Sequence, residues 1–151
     1  MTSKLGEQFD ALLQRLLDGT GASRTTLRVD LPKHGFDVDD VAGEAHKSNI
    51  KSLRGERGIN QRAVPTVEWL TREKRALIQE DLSKTDVPAP PALIAVYGVY
   101  AQMLAPLMHD GHLLGWISTH ECKGPRKWTE SDIAHLDRAV DEANALISKA
   151  K

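Results

Sequence analysis
A histidine, a cysteine and an arginine are the residues of this sequence best suited to chemistry. His120 and Cys122 stand two positions apart, a proximity that can build a nucleophile or part of a metal site. One cysteine and one histidine do not complete a zinc site, and no other cluster has ligand spacing, so no metal is expected. His120 alone could act as a general acid or base, because imidazole titrates near neutrality. Arg28 lies between Leu27 and Val29, and by strand alternation it faces away from both. A guanidinium on that side would hold a carboxylate or phosphate bidentately; an internal ion pair or a place in water is its plainer use. Gln102 sits among apolar residues, where a buried amide needs a partner. Lys51, Arg54, Arg57 and Arg62 face one local acid, Glu56, and could clamp an anion. Asp37, Asp39, Asp40 and Glu44 offer the same cations surface ion pairs. Trp69 could wall a pocket, although tryptophan is more often core. His109 and His112 flank a turn and read as solvent-exposed.

The chain that must position these groups has 151 residues, enough for one domain with a real core. Lys+Arg is 20 and Asp+Glu 21, a formal charge of −1. That balance argues against a general binder of nucleic acid or anionic membrane. The single cysteine allows no intrachain disulfide and suits a reducing compartment. No apolar run approaches a membrane span, and the first residues lack the shape of a signal peptide. The expected location is the cytoplasm.

Leu5, Phe9, Leu12 and Leu16, widened by Leu13 and Leu17, predict a first helix stopped at Asp18-Gly19-Thr20-Gly21. Strands are predicted over 23–30 and, more weakly, 36–46. Residues 47–65 have no period and read as an irregular, basic connection. A short helix over 66–71, a short strand over 75–79 and a helix over 92–97 follow, the last beginning after a proline-rich loop. Two apolar segments, 99–108 and 112–121, flank Asp110-Gly111, a strong hairpin signal. Thr129 and Asp132 form a capping box for a final helix, whose Ile133, Leu136, Val140, Ala143 and Ile147 keep heptad spacing. The sum is an α+β fold: an antiparallel sheet of about five to six strands with helices on one face.

This order resembles the GAF domain, a small-molecule sensory module. The likeness is strongest from Tyr97-Gly98-Val99 through Ala105-Pro106-Leu107, Asp110-Gly111, Leu114-Gly115-Trp116-Ile117 and Pro125-Arg126-Lys127-Trp128-Thr129 to Asp132-Ile133. It covers nearly the whole chain, weakly over 36–60, so 1–151 is expected to be one GAF-like domain. The resemblance implies terminal helices on one sheet face and a ligand pocket on the other. An ungapped alignment from Tyr97 onward puts His120 on the pocket histidine of bilin-type members, with Gln102, Leu104 and Ser118 facing the pocket. A plain Asp-Gly turn would instead pair Gln102 with Thr119 and put His120 on the opposite face; the resemblance requires a bulge or an odd loop in this hairpin.

Sub-type motifs are missing. Cys122 lies after the last strand rather than where bilin-type members attach their chromophore, and the Asp-Ile-Pro motif appears only as Ala63-Val64-Pro65. Phe9 and Phe36 both precede Asn49, which breaks the cyclic-nucleotide pattern. Methionine-sulfoxide reductases of this fold need several cysteines. No cofactor is therefore expected, covalent bilin and cyclic nucleotide included, and Cys122 is read as structural. The expectation is a stand-alone, cytoplasmic GAF domain holding a small anionic or amide-bearing molecule. Arg28, Gln102, Ser118 and His120 would be its polar anchors, Tyr100 and Leu104 its walls. Ligand-dependent ordering of 47–65 would be read by a separate effector or by the mate in a homodimer built on the terminal helices. The alternatives are a small enzyme using His120 as acid or base, Cys122-based redox chemistry, and a scaffold in which Arg28 and Gln102 satisfy each other or the backbone.

Overall fold
In a computed structural model of the chain, residues 3–151 are described. Helix α1 spans Lys4–Thr20. Ser3 opens it by accepting from the Gly6 amide at 3.0 Å, and Gly21, at φ 67°, closes it in the left-handed region that glycine enters without strain. Five strands follow: β1 Arg24–Val29, β2 Gly43–His46, β3 Leu77–Gln79, β4 Ala101–His109 and β5 His112–Glu121. They form one antiparallel sheet in the order β2-β1-β5-β4-β3. Helix α2 spans Pro65–Glu73, α3 Pro91–Ala95 and α4 Glu130–Ala150. Both α2 and α3 start with proline, whose missing N–H costs nothing at a helix N-terminus. The Thr129–Asp132 capping box is present in both directions. Among the described residues no helix is long and apolar enough to cross a membrane.

The two sheet faces carry different cores. Leu27, Val29, Met103, Leu107 and Ile117 point toward α1 and α4, where Phe9, Leu12, Leu13, Leu136, Ala143 and Ile147 bury them. The heptad residues of α4 are thus used on the sheet, with Ile133 and Val140 half-buried at its margin. The opposite face packs Leu77, Leu104 and Trp116 against Val67 and Leu70 of α2. Leu53, Leu93, Tyr97 and Val99 make a third cluster beside it.

The β4–β5 hairpin resolves the conflict between turn and alignment. Its tip is the plain two-residue turn: His109 pairs with His112, and Asp110 and Gly111 both have positive φ, 54° and 78°. A register shift then falls between Leu107 and Met108, since Met108 pairs with Leu113 but Leu107 with Gly115. Leu114 is the extra residue. Beyond it Gln102 faces His120, not Thr119.

The expected strand over 36–46 is mostly absent. Only Gly43–His46 pairs, and before it Leu31 and Phe36 form an isolated bridge. Asp37 and Asp40 instead turn their carboxylates onto the amides of Asp39 and Val41, a local alternative to a ladder, and Asp39 accepts from the Gln61 amide of the segment above.

Candidate ligand pocket
Strand register sets three rows of side chains on the face opposite α1 and α4. The first row runs Arg24, His120, Gln102, Gln79 across β1, β5, β4 and β3. The second is Thr26, Ser118, Leu104, Leu77, and the third holds Arg28, Trp116 and Pro106. Above them lies a cavity of about 40 Å³, roofed by Leu53, Ile59, Gln61 and Val64 and walled by α2 and Leu93. That is room for a few waters.

Arg28, Gln102, Leu104, Ser118 and His120 all line this cavity. They are 5%, 1%, 4%, 4% and 2% exposed, so four polar side chains stand where apolar ones would be cheaper to bury. Tyr100 does not join them. It lies just before β4, half exposed, and is no wall of the cavity. The wall that residue counting overlooked is Trp116, two rows of alternation from His120.

Arg24 was overlooked too, although it shares its strand face with Arg28. It is fully buried and ties four elements together. Nε and Nη2 donate to the Lys51 carbonyl at 3.0 and 2.8 Å, and Nη2 also donates to the Tyr97 carbonyl at 3.1 Å. Nη1 reaches Nδ1 of His120 at 2.9 Å. A guanidinium only donates, so Nδ1 must accept, and the proton of the neutral ring sits on Nε2. Burial, then the charges of Arg24 and Arg28, hold the His120 pKa well below the usual imidazole value. His120 is therefore a neutral hydrogen-bond donor, with its basic nitrogen already taken.

Gln102 belongs to a second chain of hydrogen bonds. Gln79 donates its amide N–H groups to the Val87 carbonyl at 2.7 Å and to Thr85 Oγ1 at 2.9 Å. A carbonyl accepts only, so the Gln79 amide has one orientation, and its Oε1 accepts from Gln102 Nε2 at 2.8 Å. This fixes Gln102 in turn. Its own Oε1 is buried with no hydrogen-bond partner.

Arg28 donates from Nη1 to the Val38 carbonyl at 2.9 Å. Burial lowers its pKa, and the nearby charges of Asp40 and Asp39 oppose that fall. The guanidinium stays charged and has further N–H donors to offer.

The basic stretch does not clamp anything in the cavity. Arg54 pairs with Asp10, Arg57 with Asp37 and Asp40, and Arg62 with Asp30. Lys51 Nζ lies 5.2 Å from the centre of the Tyr97 ring. These contacts, with the Leu53 amide donating to Glu44 at 2.7 Å, Ser52 donating to the same carboxylate and the Tyr97 hydroxyl donating to Glu56 at 3.0 Å, fasten residues 47–65 over the pocket. Cys122 is half-buried, its Sγ 3.6 Å from the Tyr97 carbonyl, and burial pushes its thiol pKa up. Both disfavour the thiolate, the nucleophilic form. Trp69 is half-buried in the α2 cluster with Arg75 over its ring, away from the cavity. Trp128 and Arg126 brace the start of α4: Trp128 Nε1 donates to the Gln79 carbonyl, and Arg126 pairs with Glu121 and Asp132. Among the described residues no group of three or more His, Cys, Asp or Glu is placed to hold a metal ion.

The model of the GAF domain family matches residues 4–147. No curated protein matches the chain. Solved structures share the fold at low identity. The phycocyanobilin-bound GAF domain from a cyanobacterial phytochrome is 18% identical, with a TM-score of 0.74 and 98% of this chain and 86% of that one covered. The chromophore-binding domain of the bacteriophytochrome RpBphP3 from R. palustris is 16% identical, with a TM-score of 0.75; the match takes in 99% of this chain but 57% of that one. The PixJ GAF domain of Thermosynechococcus elongatus is 16% identical, with a TM-score of 0.68 over 97% of this chain and 84% of that one. These neighbours correct the expectation of no cofactor. Although the bilin-type motifs are missing, the structural neighbours include a phycocyanobilin-bound domain and a chromophore-binding one.

Proposed function
This chain belongs to the GAF domain family, and from that premise we propose that it is a sensory module that encloses a small molecule on the sheet face opposite α1 and α4. One observation carries the reading. Arg28, Gln102, Ser118 and His120, each at least nine-tenths buried, converge from three strands on one cavity. Burying such groups is costly unless they have partners. Arg28 supplies an anchor for an anionic group and Leu104 and Trp116 supply walls.

The cavity as it stands, about 40 Å³, takes only a few waters, so a larger ligand enters by displacing the roof. That roof is segment 47–65, and its fastening is the natural signal: ligand binding changes how it is held, and a separate effector protein or the mate in a homodimer reads the change. A homodimer through α1 and α4 would use their outer faces, where Arg15 pairs with Glu142.

The enzyme alternative needs a free basic nitrogen on His120. Arg24 occupies Nδ1 and Nε2 carries the proton, which supports binding over acid–base catalysis.

Native mass spectrometry of gently purified protein, before and after denaturation, tests the reading. A bilin is within the ligand classes to be sought, given the phycocyanobilin-bound relative. The expected result is a small molecule released on denaturation and lost in Arg28→Met. Wild-type protein that releases nothing, and whose stability matches Arg28→Met in cell extract and in buffer, would overturn it.

A further inference from the structure
Among the described residues four large apolar side chains stand exposed, and three of them, Ile94, Val96 and Tyr100, fall within seven positions at the end of α3. No Asp, Glu, Lys or Arg occurs from 87 to 108, so the stretch has no charge of its own to hydrate them. Gly98, at φ 71° and with its amide on the Ile94 carbonyl, turns the chain from α3 toward β4, and the three side chains leave from one corner of the fold. Single exposed apolar residues are ordinary, but a cluster of them marks an interaction site. The same stretch also touches the cavity. Pro90 and Leu93 line it, and Tyr97 donates its hydroxyl to Glu56 of the roof at 3.0 Å. Gln79, which holds Gln102, ties Thr85 and Val87 at the approach to α3. Residues 85–100 thus meet pocket, roof and solvent at once.

We infer that Ile94, Val96 and Tyr100 are the docking surface for the effector, a protein that offers an apolar groove edged with carboxylates. This rests on the pocket reading above and names the surface through which its signal leaves. Exposed Lys51 and Lys123 flank the patch. Lys51 Nζ lies 5.2 Å from the centre of the Tyr97 ring, and Lys123 stands two residues after Glu121, whose carbonyl takes the Tyr100 amide at 2.8 Å. Neither lysine makes an ion pair among the described residues. The acids beside them are taken, Glu56 by the Tyr97 hydroxyl and Glu121 by Arg126. Exposed Glu80 and Asp86 lie on the β3 side, around Lys84. A second copy docked on this patch about a two-fold axis would set Lys51 and Lys123 against their own kind. Three half-exposed side chains also fall far short of the roughly 2,000 Å² that an obligate dimer buries. An anionic bilayer would accept the lysines, but the whole chain, at a formal charge of −1, is not drawn to one. A transient partner suits a readout: a ligand that lifts the roof frees Tyr97 from Glu56 and shifts the wall at Leu93, which moves the patch on the other side of the same short helix.

The test places the photo-crosslinking residue p-benzoylphenylalanine at position 94 of the full chain, in the cells that make it, and at exposed position 11 on the outer face of α1 as the comparison. The expected result is an adduct with a different protein from position 94 and not from position 11. That protein, purified, should bind the wild-type chain, and its Kd should weaken at least about tenfold in Val96→Asp and again in the double variant Lys51→Glu with Lys123→Glu. If Val96→Asp does not fold, the double variant decides, since both lysines are exposed. An adduct of the chain with itself alone assigns the patch to a second copy and overturns the inference. Flotation of the wild type, but not of Val96→Asp, with phosphatidylserine vesicles assigns it to lipid and does the same. No adduct at position 94, or a partner indifferent to the lysine reversals, also overturns it. Each of these outcomes leaves the pocket reading standing, because that is decided separately by the small molecule released on denaturation.

Discussion

Arg24 Nη1 lies 2.9 Å from Nδ1 of His120, and both residues are almost wholly buried. The pair places a permanent cation against a ring that must stay neutral. Its consequence for stability has a definite sign. The folded-state pKa of His120 is held well below its unfolded value of about 6.5, so the unfolded chain binds the proton more readily. Stability from this group is full above about pH 6.5 and falls as pH drops below it, by up to about 1.4 kcal/mol per pH unit. Urea unfolding between pH 5 and 7 should show this slope, and His120→Gln should flatten it. Glu121, whose pKa Arg126, Ser23 and the Lys123 amide pull down against its burial, adds a separate loss only below about pH 4.5.

Gln79 and Gln102 differ in what each leaves behind when removed. Gln79→Leu strands the buried Gln102 amide N–H and leaves the part-buried Val87 carbonyl only the Thr85 hydroxyl at 3.4 Å, and a buried orphan costs about 1–3 kcal/mol. Gln102→Leu removes one orphan, its own Oε1, and creates another at Gln79 Oε1. Thermal unfolding should therefore show a loss of about 2 kcal/mol or more for Gln79→Leu and a change within about 1 kcal/mol for Gln102→Leu. Equal losses would contradict the amide orientations assigned here.

The roof segment is tied to the sheet through Glu44, which is buried and accepts from Ser52 Oγ and the Leu53 amide. Glu44→Ala removes both ties. Hydrogen exchange over residues 47–64 should speed up about 5- to 150-fold, the equivalent of 1–3 kcal/mol of local opening, while β4 and β5 stay protected. Tyr97→Phe, which loses only the hydroxyl bond to Glu56, should act in the same direction and less.

Gly115 is the residue that lets β1 and β5 close. A Cβ there would stand 2.0 Å from the Arg28 carbonyl and 2.7 Å from the Val29 Cα, both backbone atoms that cannot swing aside. Gly115→Ala should cost about 2 kcal/mol or more in denaturant titration, near the upper end for overpacking. The same substitution pushes on the Arg28 backbone, so it should weaken ligand binding more than an equally destabilising change on α4.

The sequence made the helices and the hairpin legible because their signals are local. The caps at Gly21 and Thr129, the prolines at the starts of α2 and α3 and the Asp-Gly turn act over a few residues each. The site was legible only in part. Arg28 could be assigned a face from alternation, and the same parity assigns Arg24, yet nothing in the sequence says that Arg24 meets His120. The basic stretch shows the opposite limit. Charge alone does not tell a clamp from a fastening, and only the positions of Asp10, Asp30 and Asp37 decide it. The strand expected over 36–46 is mostly replaced by turns in which Asp37 and Asp40 bond amides one or two residues on.

The extra residue at Leu114 reaches further than the bend it introduces. Like an inserted letter, it sets the reading frame for everything downstream on β5. With the bulge, His120 and Ser118 are read on the ligand side; the same residues paired without it would put Thr119 and Ile117 there, and the polar row would face α1 and α4. The chemistry of this pocket is thus encoded twice, once in the residues and once in the register. Drift in the residues can be gradual, but flattening the bulge with every residue kept would invert the site in a single step.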